Sequence, residues 1–378
     1  MIDSYSIAET RASGFREEAV ELAALSWFEL IGWRSVPGDY LAPGGPSGAR
    51  SAYRQAVLEP ELRSALATLN PEAAPTVIDA AVRTVLSTPT QDLVENNRAF
   101  YPLLASGIPV EITENGERRT VGLRLLDRAN PRANRLLVAN QFIVQGEREA
   151  VRADIAVFVN GLPLAVLELK SPADTQATLE RAYTQLQNYK AKAPELMRCN
   201  QVLVISDGIE ARIGSLTAGL DRFGPWRTID GESLDDDGRA ELEVLIRGVF
   251  APERFLDLIV DYIAFEIEDG VVKSKKLAGY HQYHAVRKAL ASTVRAAGRA
   301  TRPSCFWSRP PRPRRRSAIF APIGRVIRCG SSSRASRCTS TTSITAAIAS
   351  TSAPTRARPT SASSRRRSTL LASATGTS

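Results

Sequence analysis

Two carboxylates and one ammonium group lie close together in the middle of the chain and could carry out phosphodiester chemistry. Glu168 and Lys170 are separated by one residue, so an extended strand places both side chains on the same face. The short turn at residues 160–163 folds this strand back onto the strand that contains Asp154. We therefore predict that Asp154 lies opposite residues 167–169 and that the three side chains converge.

The chemistry of these groups favours a metal-dependent DNA nuclease. Two carboxylates supply the oxygen ligands that Mg²⁺ prefers, and bound Mg²⁺ activates water and stabilises the charge that develops on a phosphodiester. The ammonium group of Lys170 would orient the attacking water or neutralise the transition state. Charges within the apolar strand 164–169 are costly unless they are paired or bind a metal. The spacing pattern is short and can match by chance, so by itself it favours an edge hairpin that holds a structural ion pair.

The helix that follows carries a second polar pair. Gln185 and Tyr189 are four residues apart and share a helix face, beside an apolar stripe of Leu179, Ala182 and Leu186. Both polar side chains are thus placed where they could face the carboxylates or a DNA phosphate. A half-exposed helix face is the simpler explanation when this helix is considered by itself.

Hydrophobic periodicity predicts the elements that position these side chains. A period near 3.6 predicts three helices, at residues 15–31, 54–69 and 75–87, and Gly32 is placed to end the first. From about residue 108 a period of two predicts strands, with a hairpin turn at Asn115-Gly116. The further strands are residues 136–144, 155–159, 164–169 and 201–206, with a helix at about 174–192 before the last. These elements predict a mixed sheet flanked by helices, in the α/β (α+β) class.

Composition and charge exclude several classes of protein. No apolar run approaches the roughly 18 residues of a membrane span, and the N-terminus lacks a secretory pattern, so we expect no membrane association and a cytoplasmic location. The formal charge is +9, but 16 of the 49 basic residues are arginines after residue 298. The other 33 face 40 acidic residues, a net charge of −7. DNA affinity of the folded part must therefore come from a local patch.

The segment 299–378 differs from the rest of the chain. It is rich in Ser, Thr, Arg, Ala and Pro, and it contains no Lys, Asp or Glu. A genuine disordered basic tail has such a composition, and so has a GC-rich coding sequence that is read out of frame. We favour the second origin, because the family pattern described next stops at the same place.

The residues considered so far, taken together, resemble a known family. The chain is similar to the N-terminal part of the restriction (R) subunit of type I restriction–modification enzymes, which are PD-(D/E)xK nucleases. The similarity covers about residues 15–297. It is carried by colinear segments at residues 97–104, 107–111, 140–142, 154–164, 168–170, 185–189, 203–208 and 214–218.

The resemblance implies a restriction-endonuclease-like fold, double-stranded DNA as substrate, and modification and specificity subunits as partners. The site residues that it implies are the Mg²⁺ ligands Asp154 and Glu168, the catalytic Lys170, and Gln185 and Tyr189 of a Q-x-x-x-Y motif. In such folds a glutamate of the first helix also joins the site, and Glu21 is the candidate. Ala153 stands where the family usually has proline, but that proline supplies no ligand, so we expect little effect.

In this family an ATP-driven DNA translocase follows the nuclease. Residues 275–286 resemble the segment that opens the motor, where Gln282 corresponds to a residue that reads the adenine of ATP. A phosphate-binding G-x-x-x-x-G-K-[ST] motif should follow, yet the sequence contains no Gly-Lys pair. We therefore expect a truncated chain, with ATP a cofactor only of the full-length family. The expected parts are a nuclease domain at 1–240 (helical lead-in 15–105, catalytic core 106–240), a helical connector or linker at 241–276, a motor remnant at 277–298 and the tail.

Two other functions are compatible with the same residues. A stand-alone nuclease of the resolvase or repair type would use the same centre without partner subunits. A non-catalytic DNA-binding or assembly fragment would keep the acidic cluster as a relic and bind DNA through its arginine tail, with strong salt dependence.

Overall fold

A computed structural model describes residues 4–114, 117–171, 178–235 and 238–300 of the chain. The helices are α1 (Ser4–Leu30), α2 (Glu59–Leu69), α3 (Pro75–Leu86), α4 (Leu93–Ser106), α5 (Leu179–Lys192), α6 (Pro194–Met197), α7 (Glu241–Val249), α8 (Pro252–Asp261) and α9 (Tyr280–Ala300). The strands are β1 (Arg34–Pro37), β2 (Ile108–Glu114), β3 (Glu117–Leu123), β4 (Leu136–Gln145), β5 (Ala150–Val159), β6 (Leu162–Leu169), β7 (Val202–Ser206), β8 (Ala211–Gly214), β9 (Ile263–Glu268) and β10 (Val271–Leu277). The expected tail lies outside these ranges from residue 301 onward.

Six of the strands form one mixed sheet in the order β1-β4-β5-β6-β7-β8. β1 runs parallel to β4, and β6 runs parallel to β7. The other neighbouring strands are antiparallel. β6 is buried along its whole length, which explains why its sequence is an almost continuous apolar run. The predicted mixed sheet flanked by helices is confirmed.

Two apolar clusters cover the two faces of this sheet. One face packs against α1 and α7, with Phe28 and Leu245 among its fully buried residues. The other face packs against α5 through Ala182 and Leu186. Burial of each large apolar side chain contributes roughly 1.5–3 kcal/mol, so the faces of β5 and β6 are held firmly between helices.

The alternation of buried side chains is interrupted in the middle of β4 and β5. Ala153 and Ala156 face the same apolar cluster although they are three residues apart, which a regular strand does not allow. Opposite them, Gln141 has a left-handed φ of 51°, and the Cα pairing of the two strands skips Gln141 and Asp154. Such a backbone conformation in a non-glycine residue costs about 1–3 kcal/mol and occurs preferentially at functional sites.

Several helical boundaries differ from the sequence prediction. α4 was not predicted, because Pro102 lies inside it and proline usually ends a helix. α2 begins at Glu59 rather than at residue 54. The helix expected from residue 174 is observed from Leu179 onward, and residues 172–177 lie outside the described part.

The expected helical connector or linker at residues 241–276 is only partly helical. The expected connector 241–276 does contain the helices α7 and α8, but β9 and β10 then pair as an antiparallel hairpin. β10 carries three lysines, yet Lys275 is only 2% exposed. Burial of a lysine depends on partners from distant segments, so charge counting along the sequence could not predict it.

The described helices can be compared with the length and apolar character of a membrane-spanning helix. None of them combines the length and the apolar character that are needed to cross a bilayer.

Candidate active site

The two predicted carboxylates and the lysine lie together on β5 and at the end of β6. The backbone N–H of Leu169 donates to Asp154 Oδ2 at 2.8 Å, which ties the aspartate to the neighbouring strand. Lys170 Nζ donates to Glu168 Oε1 at 2.6 Å and lies 3.9 Å from Asp154 Oδ2. The structure thus brings all three groups within reach of one small ligand.

Helix α5 places its polar pair against the same centre. Tyr189 Oη lies 2.8 Å from Glu168 Oε2 and 2.6 Å from the carbonyl oxygen of Arg152. Gln185 Nε2 is 3.5 Å from the same hydroxyl. The apolar residues Ala182 and Leu186 are fully buried and fix the rotation of the helix. The helix therefore faces the carboxylates rather than solvent.

Two glutamates of α1 lie near this centre, but they contact different groups. Glu17 Oε1 accepts a hydrogen bond from Lys170 Nζ at 3.1 Å. Glu21, predicted as the helix contribution, is 4% exposed and accepts from Asn140 Nδ2 at 3.2 Å and from Gln141. Glu17 was not among the predicted site residues, although residues four apart share a helix face and Glu21 had been predicted on that face.

A cleft of about 270 Å³ opens over these groups. Its lining includes all five predicted site residues together with Glu17, but not Glu21. Gln282 is also absent from this lining; its Oε1 accepts from the backbone N–H of Gly279 at 3.0 Å at the start of α9. The structure therefore unites five of the predicted residues and leaves Gln282 elsewhere.

Burial and mutual repulsion make the carboxyl groups unusual acids. Burial raises the pKa of Asp154 to about 6. Burial, and then the charge of Asp154, raises the pKa of Glu168 to about 8. Burial alone would lower the pKa of Lys170, but the surrounding carboxylates outweigh it and hold the pKa above its usual value. Two buried carboxylates that share one ammonium group form an environment that favours additional positive charge.

The donor set determines which metal could be held here. Among the described residues, no three His, Cys, Asp or Glu side chains form a group that could hold a metal ion. Mg²⁺ keeps several of its waters and is commonly bound through only one or two carboxylates. The oxygens of Asp154 and Glu168 fit that requirement, whereas a closed zinc site needs four protein ligands.

Glu21 provides a prediction about stability and pH. Burial, and then the charge of Asp154, raises the pKa of Glu21 to about 7, whereas an unfolded glutamate loses its proton near its ordinary pKa of 4.5. Between these two values the folded state binds more protons, so the free energy of unfolding falls as the pH rises. We expect this residue to account for a loss on the order of 2–3 kcal/mol between pH 4.5 and pH 7.5.

Urea unfolding of the wild type and Glu21→Gln at several pH values measures this effect. The variant should show a flatter pH dependence of its unfolding free energy. Glu18→Gln, which changes an exposed glutamate of the same helix, is the matched control. Parallel pH profiles for the wild type and Glu21→Gln would contradict the prediction.

Comparison with known proteins agrees with the resemblance inferred from the sequence. A family model described as the type I restriction enzyme R protein N terminus matches residues 14–222, more than half of the chain. The chain is 38% identical over 285 residues to the type I restriction enzyme HindI endonuclease subunit of Haemophilus influenzae, covering 74% of this chain and 27% of that protein.

A second relative is a Methanocaldococcus jannaschii protein named as the type I restriction enzyme MjaIXP endonuclease subunit. It is 30% identical over 296 residues, which cover 73% of this chain and 28% of that protein. The chain therefore spans about a quarter of the length of these relatives. On the extent of the family match, this chain belongs to the type I restriction enzyme R subunits, and the matched region is their N-terminal part.

Proposed function

We propose that this chain provides the Mg²⁺-dependent endonuclease centre of a type I restriction enzyme, which hydrolyses phosphodiester bonds of double-stranded DNA. The observation that carries the proposal is the convergence of Asp154, Glu168 and Lys170 in one cleft, with Lys170 Nζ 2.6 Å from Glu168. The relatives that are named endonuclease subunits support the same activity.

Each residue has a distinct role in this proposal. Asp154 and Glu168 would hold Mg²⁺, which supplies Lewis acidity when bound. Lys170 would neutralise charge that develops on the phosphate, since its ammonium group lies at the edge of the carboxylate pair. Tyr189 orients Glu168 through the 2.8 Å hydrogen bond, and Gln185 lies beside the tyrosine hydroxyl.

The proposed setting is a complex with modification and specificity subunits, which would select the DNA target. The proposal assigns no ATP-driven translocation to this chain, since the sequence contains no Gly-Lys pair. Cytoplasmic location is part of the same proposal.

Calorimetric titration of the whole chain with Mg²⁺ tests the centre directly. We expect saturable binding of about one ion per chain, accompanied by a rise in melting temperature, because a ligand that binds only the folded state stabilises it. DNA cleavage is then measured on a supercoiled plasmid, with and without modification and specificity subunits. A folded chain that binds no Mg²⁺ with or without DNA would overturn the proposal.

Replacement of Lys170 by methionine separates metal binding from catalysis. The variant loses the ammonium group but keeps both carboxylates, so we expect Mg²⁺ binding to persist. DNA cleavage should fall by about 10²–10³-fold, the usual effect of removing one group that stabilises transition-state charge. Single-turnover cleavage assays measure the loss, and Lys170→Arg, which keeps the charge, is the control. Equal cleavage by Lys170→Met and the wild type would exclude the assigned role.

A further inference from the structure

We propose that Arg152, Arg148 and Lys192 bind the phosphate backbone of the cleaved DNA strand beside the catalytic centre. The strand would leave the catalytic cleft along these side chains and enter a second, larger cleft next to it. This inference rests on the nuclease function proposed above and adds the path of the substrate.

Arg152 is placed directly beside the carboxylates. It lies two residues before Asp154 on β5, a separation of about 7 Å along a strand, and its exposed side chain lines the catalytic cleft. Each phosphate of a B-DNA strand advances about 3.4 Å along the helix axis, so Arg152 is within reach of a phosphate near the scissile one. Its carbonyl oxygen lies 2.6 Å from Tyr189 Oη, so the backbone at this position packs against α5.

The guanidinium group of Arg152 is available for a ligand. Within the described part of the chain it forms neither a hydrogen bond nor an ion pair, and the same holds for Arg148 in the turn before β5. Arginine binds phosphate oxygens in a bidentate manner. The folded part of the chain is net acidic, and Glu147, Glu149 and Glu195 also line the second cleft, so these two arginines supply the local positive charge that DNA affinity requires.

A second cleft of about 590 Å³ continues this surface, and Lys192 lines both clefts. Arg148 lines the second cleft together with Thr88, Thr90 and Gln91, whose polar side chains are suited to hydrogen bonds with a sugar–phosphate backbone. Its other arginines are already engaged. Arg54 pairs with Glu195 at 3.1 Å and Arg198 donates to the carbonyl oxygen of Val85 at 2.7 Å.

Lys192 stands where the two clefts meet, in an ion pair with Glu149 at 2.6 Å. The Lys192 side chain is 42% exposed, and exposed ion pairs contribute at most about 1 kcal/mol, so a phosphate can replace the glutamate. The backbone at Gly146 packs directly against the end of α5. Only glycine fits there, because a Cβ would lie 1.7 Å from the carbonyl oxygen of Lys192. The close approach keeps the turn that carries Arg148 and Glu149 against the end of α5.

Salt dependence of DNA binding by the whole chain tests this path. Binding of a 30-base-pair duplex is measured in EDTA over a range of NaCl concentrations, for the wild type, Arg152→Gln, Arg148→Gln and the double variant. Each lost phosphate contact should weaken binding and reduce the slope of log K against log salt by about 0.9, and the double variant should lose about 1.8. Any contribution of the arginine tail is common to all proteins and cancels in the comparison.

Arg118→Gln is the matched control, since Arg118 is an exposed arginine on β3 that lines neither cleft and has no partner among the described residues. Its slope should equal that of the wild type, and Arg152→Lys, which keeps the charge, should retain most of the slope. The proposed path would be overturned if Arg152→Gln and Arg148→Gln kept the wild-type slope. It would also be overturned if their loss of slope only equalled that of Arg118→Gln. Mg²⁺ titration of the same variants separates the two proposals, because failure of the nuclease centre abolishes metal binding in every protein, whereas failure of the path leaves metal binding intact.

Discussion

Replacement of Asp154 by asparagine is expected to weaken Mg²⁺ binding by at least about 100-fold and to reduce DNA cleavage to background. Loss of groups that only support a metal ligand commonly costs 10–100-fold in affinity, and Asp154 is one of the two carboxylates proposed to hold the metal. Asparagine can still accept the hydrogen bond from the N–H of Leu169, which is 2.8 Å long in the wild type. The fold should therefore survive, and calorimetry reports the loss of the metal site itself.

The control for this experiment is Asp221→Asn. Asp221 has a side chain that is 77% exposed and pairs with its neighbour Arg222 at the surface, so Mg²⁺ affinity should be unchanged. Undiminished Mg²⁺ binding by a folded Asp154→Asn protein would show that the metal lies elsewhere. The non-catalytic alternative would then be favoured, and DNA binding would be expected to depend on the arginine tail.

Replacement of Lys275 by methionine should destabilise the chain by about 3 kcal/mol, or roughly 6–10 °C in melting temperature. In the wild type, Lys275 Nζ donates to Asn97 Oδ1 and the Asn200 carbonyl at 2.8 Å and to Gln201 Oε1 at 2.7 Å. Burial lowers the pKa of this lysine well below its usual value, but three acceptors match the three N–H donors of an ammonium group. Methionine would leave all three oxygens buried without that donor.

The neighbouring lysine is the matched control for this change. Lys276 is half exposed and pairs with Glu266 at 3.0 Å at the surface, so Lys276→Met should cost less than about 1 kcal/mol. Urea unfolding followed by circular dichroism measures both variants. Equal stability of the two would show that the buried network contributes nothing. The expected difference would instead show that the hairpin β9–β10 is fastened through Lys275 to α4 and to the residues that precede β7.

The relative placement of the candidate site residues could be predicted from short-range pattern. Glu168 and Lys170 share a face because a strand repeats every two residues, and a short turn can only return the chain to an adjacent antiparallel strand. Gln185 and Tyr189 share a face because a helix repeats every 3.6 residues. These are properties of the local backbone, so the structure was needed only to show which groups the shared faces meet.

Two features were not predictable in this way. They are the contribution of Glu17 from α1 and the hairpin β9–β10. Whether Glu17 or Glu21 contacts Lys170 depends on how far α1 slides along the sheet. That position is set by packing of residues such as Phe28 against distant helices. Lys275 belongs to the same class of residues, because its acceptors come from segments more than 70 positions away in the chain.

Local sequence was sufficient to predict the central strands of the sheet, the polar face of α5, and the two carboxylates and one lysine that lie together in the cleft. Tertiary structure decided the environment of those groups, and with it their pKa values, their hydrogen-bond partners and the interruption of β4 and β5 at Gln141 and Asp154. The physical reason is that periodicity follows from bonds between neighbouring residues. Burial, charge coupling and strain arise only when distant segments are packed together.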